Sequence, residues 1–159
     1  MKTIGFIGAG NMGGALIRAA ARSDTKCDIL IADKISEKAE IIAKETDVKV
    51  SSPTEIAEKC DLIFLGVKPN FMASTLDEIS KILAKREEKP TLVSMAAGVS
   101  IAAIRSFIGA DLPVIRIMPN TPVAVGKGMI TYCYNELVSQ DTIDTFLDDM
   151  KYAGKLDSI

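Results

Sequence analysis

The stretch TIGFIGAGNMGG at residues 3 to 14 sets Gly8, Gly10, Gly13 and Gly14 directly behind a short apolar run. Three local structures produce such a pattern: a secretion signal, an ordinary tight turn, or a backbone cradle for a phosphate. The cradle is the most demanding, because it fixes where a strand ends, where a helix begins and how closely the two approach.

Lys2, the apolar residues behind it and RAAA at 18 to 21 resemble a leader with a small-residue cleavage site. Asn11 and Arg18 interrupt that run and the glycines break any continuous apolar helix, so no leader is expected. No segment reaches the run of about 18 apolar residues that a bilayer requires, and no membrane partner is expected.

The chain has 159 residues, 48% of them apolar and 25% charged, with a formal charge of -2. That is enough for one well-buried core, and it offers no excess of positive charge to hold a nucleic acid. Cys27, Cys60 and Cys133 are odd in number and widely spaced, which argues against a disulfide framework or a thiolate metal site and for a reducing, cytoplasmic setting. No metal is expected. Histidine is absent, which excludes His-based triads, His-ligated zinc and imidazole acid-base chemistry.

Short apolar or β-branched runs alternate with stretches of helical period along the whole chain, the pattern of βα units around a parallel sheet. Strands are expected at Thr3 to Gly8, Asp28 to Ala32, Val48 to Val50, Leu62 to Val67, Thr91 to Ser94 and Val114 to Met118. SPTE at 52 to 55 reads as a capping box with proline at the first helical position. Ser100 and Gly109 read as the start and stop of another helix. Ile143, Phe146, Leu147 and Met150 form a core stripe that ends at Gly154, and the nearby Asp141, Asp144, Asp148 and Asp149 read as a solvated face. AKREEKP at 84 to 90 reads as a solvated helix end and its turn.

In this setting Gly8, Gly10 and Gly13 form G-x-G-x-x-G between the first strand and a helix from about Asn11 to Arg22. Gly8 permits the tight turn, Gly10 lets a pyrophosphate approach the backbone, and Gly13 lets the helix pack on the strand. No G-K-[ST] follows, so the Walker alternative fails. The expected fold is α/β, a Rossmann-type doubly wound and mostly parallel sheet with helices on both faces. The expected ligand is a nicotinamide dinucleotide, NADP(H) or NAD(H).

Asp33 at the end of the second strand stands where a carboxylate takes the adenosine ribose hydroxyls, which favours NAD; a loop or helix-capping carboxylate is the plainer alternative. Lys34 and Lys38 are placed to meet a 2′-phosphate. At about 4 Å such a charge pair is worth roughly 1 kcal/mol in water and roughly 4 at an effective dielectric of 20, so one carboxylate and one lysine nearly cancel. The choice between NAD and NADP stays open.

An open parallel sheet binds its ligands at the strand ends. There the chain carries GVKP (66 to 69), SMAAGVS (94 to 100) and VIRIMPNTPVAVGKGM (114 to 129). With these segments in this order behind GFIGAGNMGG, the chain resembles pyrroline-5-carboxylate reductase over essentially its whole length, MPNTP being the most diagnostic part. The resemblance implies reduction of 1-pyrroline-5-carboxylate to L-proline, with hydride passing from the nicotinamide to the carbon of a protonated cyclic imine. It implies dinucleotide contacts from Ile7, Gly8, Ala9, Gly10, Asn11 and Met12 and from Gly66, Val67, Lys68 and Pro69, which join Gly13, Asp33 and Lys34 of the fingerprint and the second strand end as expected cofactor-binding residues. Ala97, Gly98 and Asn120 are expected beside the nicotinamide, and Asn120 and Thr121 are the candidates for a catalytic part. Pro119 and Pro122 stiffen that loop, and the Asn120 amide both donates and accepts. A bare PNTP turn is the plainer reading of the same residues. Arg116 has no assigned role.

Members of the family continue into an all-helical domain with a SGSGPAY-like motif that forms a homodimer or larger oligomer and much of the substrate pocket. Nothing like that motif occurs here, so residues 1–159 are expected to form the NAD(P)-binding domain alone. Two alternatives stay open: a non-catalytic dinucleotide-binding module, and a related nicotinamide-dependent dehydrogenase, against which MPNTP argues.

Overall fold

The computed structural model describes residues 2–23, 27–120 and 126–159. Its elements in chain order are β1 (Thr3–Ile7), α1 (Asn11–Ala21), β2 (Asp28–Ala32), α2 (Ser36–Thr46), β3 (Lys49–Val50), α3 (Pro53–Lys59) and β4 (Leu62–Leu65). A single 3-10 turn, Pro69–Phe71, leads into α4 (Met72–Lys85), followed by β5 (Thr91–Ser94), α5 (Ile101–Ile108), β6 (Val114–Pro119), β7 (Gly128–Tyr134) and α6 (Gln140–Met150). A second 3-10 turn, Lys151–Ala153, precedes β8 (Gly154–Ser158).

The strands form one eight-stranded sheet in the order β3-β2-β1-β4-β5-β6-β7-β8. Neighbours from β3 to β6 are parallel, β7 runs antiparallel to β6, and β8 runs parallel to β7. The expected doubly wound sheet is therefore present, extended by two strands that the sequence reading did not include.

Continuous apolar runs such as LIFL in β4 are buried at every position, because helices cover both faces. Ile4, Phe6, Phe64, Ile115 and Ile117 pack with α1, α2 and α6 on one face. Ile7, Ile63, Leu65, Leu92 and Val114 pack with α3, α4 and α5 on the other. Phe6 stacks on Phe64 with ring centroids 4.5 Å apart, and Phe146 of α6 joins the same cluster. Each such side chain contributes about 1.5–3 kcal/mol on burial, which anchors the strand ends that carry the site.

The helix signals act largely as expected. Ser52 Oγ accepts from the Glu55 N–H at 3.2 Å and Ser100 Oγ from the Ala103 N–H at 3.1 Å, while Gly109 ends α5 at φ 75°. The reciprocal half of the capping box is replaced, because Glu55 pairs with Lys59 at 3.6 Å.

Three expectations are corrected. Gly154 is not the stop of α6; that helix passes into a 3-10 turn, and Gly154 opens β8 at φ 138°. Asp149 does not lie on a solvated face: it is fully buried and accepts from Lys2 Nζ at 2.6 Å, ahead of β1. The charged stretch after α4 is partly structural, since Arg86 donates to the carbonyls of Ala57 and Cys60, and Lys89 closes the helix on Leu83 and Ala84.

Candidate functional site

The strand order brings the C-terminal ends of β2, β1, β4, β5 and β6 into one row, with α1 rising from the end of β1. The sheet's order reverses at β1, whose neighbours are β2 and β4. Such a reversal leaves a crevice above the strand ends.

Backbone meets backbone in that crevice. Gly8 has φ 110°, and a Cβ there would lie 2.5 Å from the Gly66 carbonyl oxygen. A Cβ on Gly13 would lie 2.5 Å from the Gly8 oxygen. The ends of β1 and β4 and the start of α1 therefore touch only because side chains are missing. Gly8 N–H donates to Ala32 O and Gly66 N–H to Ile7 O, each at 2.8 Å, which lengthens the strand ladders up to the turn.

Gly10 is different. A Cβ on it would meet nothing within 4 Å, so its lack of a side chain leaves open space above the backbone. Next to it α1 begins with no side-chain cap and no acidic residue in its first turn. The first-turn N–H groups thus keep their donor capacity beside that space, as a bound phosphate requires.

Asp33 fixes this turn. Its Oδ2 accepts from the Ala9 N–H at 2.7 Å and its Oδ1 from the Ile35 N–H at 2.8 Å, tying the glycine turn to the end of β2. Both carboxylate oxygens therefore already hold a backbone donor, and the plainer loop-carboxylate role is present whatever else the residue binds.

The other expected residues are spread along the same row. Ile7 and Ala9 are buried beneath the turn, and Asn11 and Met12 open α1 with exposed and half-buried side chains. Lys34 is exposed and its Nζ lies 4.9 Å from the centroid of the Phe71 ring. Gly66 and Val67 are half-buried, and Lys68 and Pro69 are exposed at the 3-10 turn after β4. Ala97 and Gly98 are exposed beyond β5, with Gly98 at φ 76°. Asn120 follows β6, and its Oδ1 accepts from the Met129 N–H at 3.0 Å, which joins β6 to β7 and leaves Nδ2 as its donor. Thr121 and Pro122 lie outside the described residues.

Phe71 and Ile35 were not expected from the sequence as site residues, yet both stand exposed at this rim, 44% and 53% respectively. The available signal was an aromatic residue directly after GVKPN. Arg116 pairs in register with Ser94 and Cys133, is half-buried, and its Nε has no hydrogen-bond partner. Among the described residues no group of acidic, cysteine or histidine side chains is placed to hold a metal. No described helix is long and apolar enough to cross a membrane.

A doubly wound sheet with a three-glycine turn at its switch point defines a Rossmann-type domain. Residues 3–98 match the family model described as NADP oxidoreductase, coenzyme F420-dependent, and the chain belongs to that family.

Beyond the family, the chain is similar to pyrroline-5-carboxylate reductase of Corynebacterium melassecola, at 34% identity over 97% of this chain and 58% of that protein. Among solved structures it is similar to a pyrroline-5-carboxylate reductase from Coxiella burnetii, with a TM-score of 0.90 and 25% identity over 98% of this chain and 58% of the other. It is also similar to the Plasmodium falciparum pyrroline carboxylate reductase with NADP bound, with a TM-score of 0.83 and 28% identity over 99% and 57%. The chain spans a little over half the length of the first curated relatives it matches, 58% and 54%.

Proposed function

We propose that residues 1–159 form the dinucleotide-binding domain of a pyrroline-5-carboxylate reductase, which reduces 1-pyrroline-5-carboxylate to L-proline with NADPH or NADH. The observation that carries this reading is the open backbone at Gly10 beside the uncapped start of α1, held by the packed glycines Gly8, Gly13 and Gly66. Similarity to reductases of this name over nearly the whole chain supports the substrate.

In this reading the N–H groups of Gly10 to Gly13 hold the pyrophosphate, and Asp33 holds the turn in shape while facing the adenosine ribose. Gly66 to Pro69 border the same groove on the β4 side. Ala97 and Gly98 offer a side-chain-poor surface to the nicotinamide, and Asn120, with its Oδ1 fixed on Met129, presents Nδ2 as a donor beside it. Thr121, the next residue in the sequence, is the second candidate for a catalytic part. When bound, the dinucleotide would supply the hydride for the imine carbon, with the imine nitrogen already protonated. The contribution of these residues is to orient the ring and exclude water, and positioning of this kind carries much of a hydride transfer.

The reducing setting suggested by three free thiols is that of the cytoplasm. A homodimer or larger assembly belongs to the same reading, supported by exposed Met118 and Met129 on β6 and β7.

Calorimetric titration with NADPH and NADH, followed by cofactor oxidation in the presence of 1-pyrroline-5-carboxylate, tests the proposal. Binding is expected. Turnover would assign the substrate site to this chain; binding without turnover would assign it the cofactor role alone; no binding of either dinucleotide to folded protein would falsify the reading.

A further inference from the structure

Two side chains from different strand ends meet above the glycine turn, and the fingerprint does not call for their contact. Lys34 lies just past β2 and Phe71 ends the 3-10 turn behind β4, while β1 lies between those strands in the sheet. Their 4.9 Å cation-π contact therefore spans the end of β1.

Both partners are rooted. Phe71 N–H donates to Lys68 O at 2.9 Å, and Phe71 O accepts from Ser74 Oγ at 3.0 Å, so the backbone that carries the ring is fixed on both sides. Lys34 is next to Asp33, whose carboxylate is held by two backbone N–H groups. Among the described residues Lys34 forms no ion pair with a carboxylate, unlike Arg18, which pairs with Glu45 at 2.8 Å. A 44% exposed aromatic ring with an unpaired ammonium over it is an unusual use of surface unless something else takes the ring.

We propose that the Lys34–Phe71 pair is a strap over the adenosine end of the dinucleotide groove. Phe71 gives its face to the adenine, and Lys34, leaving the ring as the base enters, meets a phosphate on the 2′ position of the ribose. The assignment rests on the dinucleotide reading above, which places the ribose beside Asp33 and hence the base beyond it. An aromatic face accepts a base by stacking, and an ammonium recognises phosphate by charge-assisted hydrogen bonds. The strap thus makes NADP(H) the favoured cofactor and adds Phe71 to the binding residues.

The test uses the adenosine half alone, with 2′,5′-ADP and 5′-AMP as probes and nicotinamide mononucleotide as control, each titrated calorimetrically. The wild type is expected to bind 2′,5′-ADP about tenfold more tightly than 5′-AMP. Phe71→Ala should weaken both adenosine probes by about tenfold and leave nicotinamide mononucleotide unchanged. Lys34→Ala should remove the preference for 2′,5′-ADP without weakening 5′-AMP.

The chain contains no tryptophan, so Phe71→Trp places one tryptophan at the proposed stacking position, which can be excited selectively over the three tyrosines. It should retain affinity, and its emission should be quenched by 5′-AMP. Unchanged 5′-AMP affinity in Phe71→Ala, or unchanged emission at saturating 5′-AMP, would overturn the strap while leaving the dinucleotide reading in place. A folded wild type that binds none of the probes and neither dinucleotide would overturn both.

Discussion

The two ends of the parallel strands use the same polar chemistry in opposite ways. At the N-terminal ends, polar groups are consumed internally. Asn135 accepts from the N–H groups of Val114 and Leu137 and donates to Leu112 O, Asp61 accepts from the Thr3 N–H, and Arg86 takes two carbonyls at the end of α3. At the C-terminal ends, α1 starts uncapped and Gly10 stands beneath open space. Donors that already have acceptors hold the sheet together; donors left beside open space keep their capacity for an acceptor from outside the fold.

The sharpest way to break this contrast is within the glycine turn. Gly13→Val forces a side chain against the Gly8 carbonyl and should cost about 3 kcal/mol or more, read as a fall in the urea midpoint. Wild-type stability in that variant would mean that the close approach of α1 to β1 is not required. At the closed end, Asn135→Ala strips three backbone partners and should cost about 1–3 kcal/mol, with nucleotide affinity unchanged. Gly10→Leu should do the reverse: stability within about 0.5 kcal/mol of wild type, but nucleotide affinity lower by on the order of tenfold. If it lost stability instead, the two ends would not differ as described.

A smaller effect comes from Asp149. Burial holds its carboxyl above the ordinary value of 3.8, against the opposing pull of Lys2. The folded state therefore takes up this proton at a higher pH than the unfolded chain does. Its contribution to stability is full below the unfolded value and is lost as pH rises through the folded one. Wild type should gain stability relative to Asp149→Asn on acidification from neutral pH, as checked by paired urea melts; a constant difference would deny the shift. The smallest effect is chemical: Cys60 is fully buried with its thiol pushed up to about 12 by burial, so it should resist alkylation at pH 8 while the protein is folded.

Elements set by local pattern are legible in the sequence, whereas those set by phase and placement are not. β1, β2 and β5 were legible because apolar runs end at Gly8, at Asp33 and just ahead of the small residues Ala96, Ala97 and Gly98. β7, GMITYCY, alternates buried residues with exposed or half-buried ones, and β8, GKLDS, has little apolar content. Neither contains the continuous apolar run that marks a strand covered on both faces. Asp149 sits among exposed acids, but on α6 it neighbours Met150 and lies three residues after Phe146, which turns it toward the core. At the site, the glycine spacing located the turn, and the end of the second apolar run located Asp33. That the carboxylate folds back onto the Ala9 N–H, and that Phe71 stands beside Lys34, depends on how β2 and β4 flank β1.

The two margins of the sheet carry a further consequence. A row of unpaired backbone groups along an edge strand invites another chain to add itself, and long flat apolar edges promote aggregation. Here one margin is β3, only two residues long and exposed at both. The other is β8, where Lys155 and Asp157 form an ion pair 3.8 Å apart on the outermost strand. One edge is too short to template a partner strand and the other is marked by charge, so the wide sheet beneath the binding crevice is guarded against fibre-like stacking at its sides.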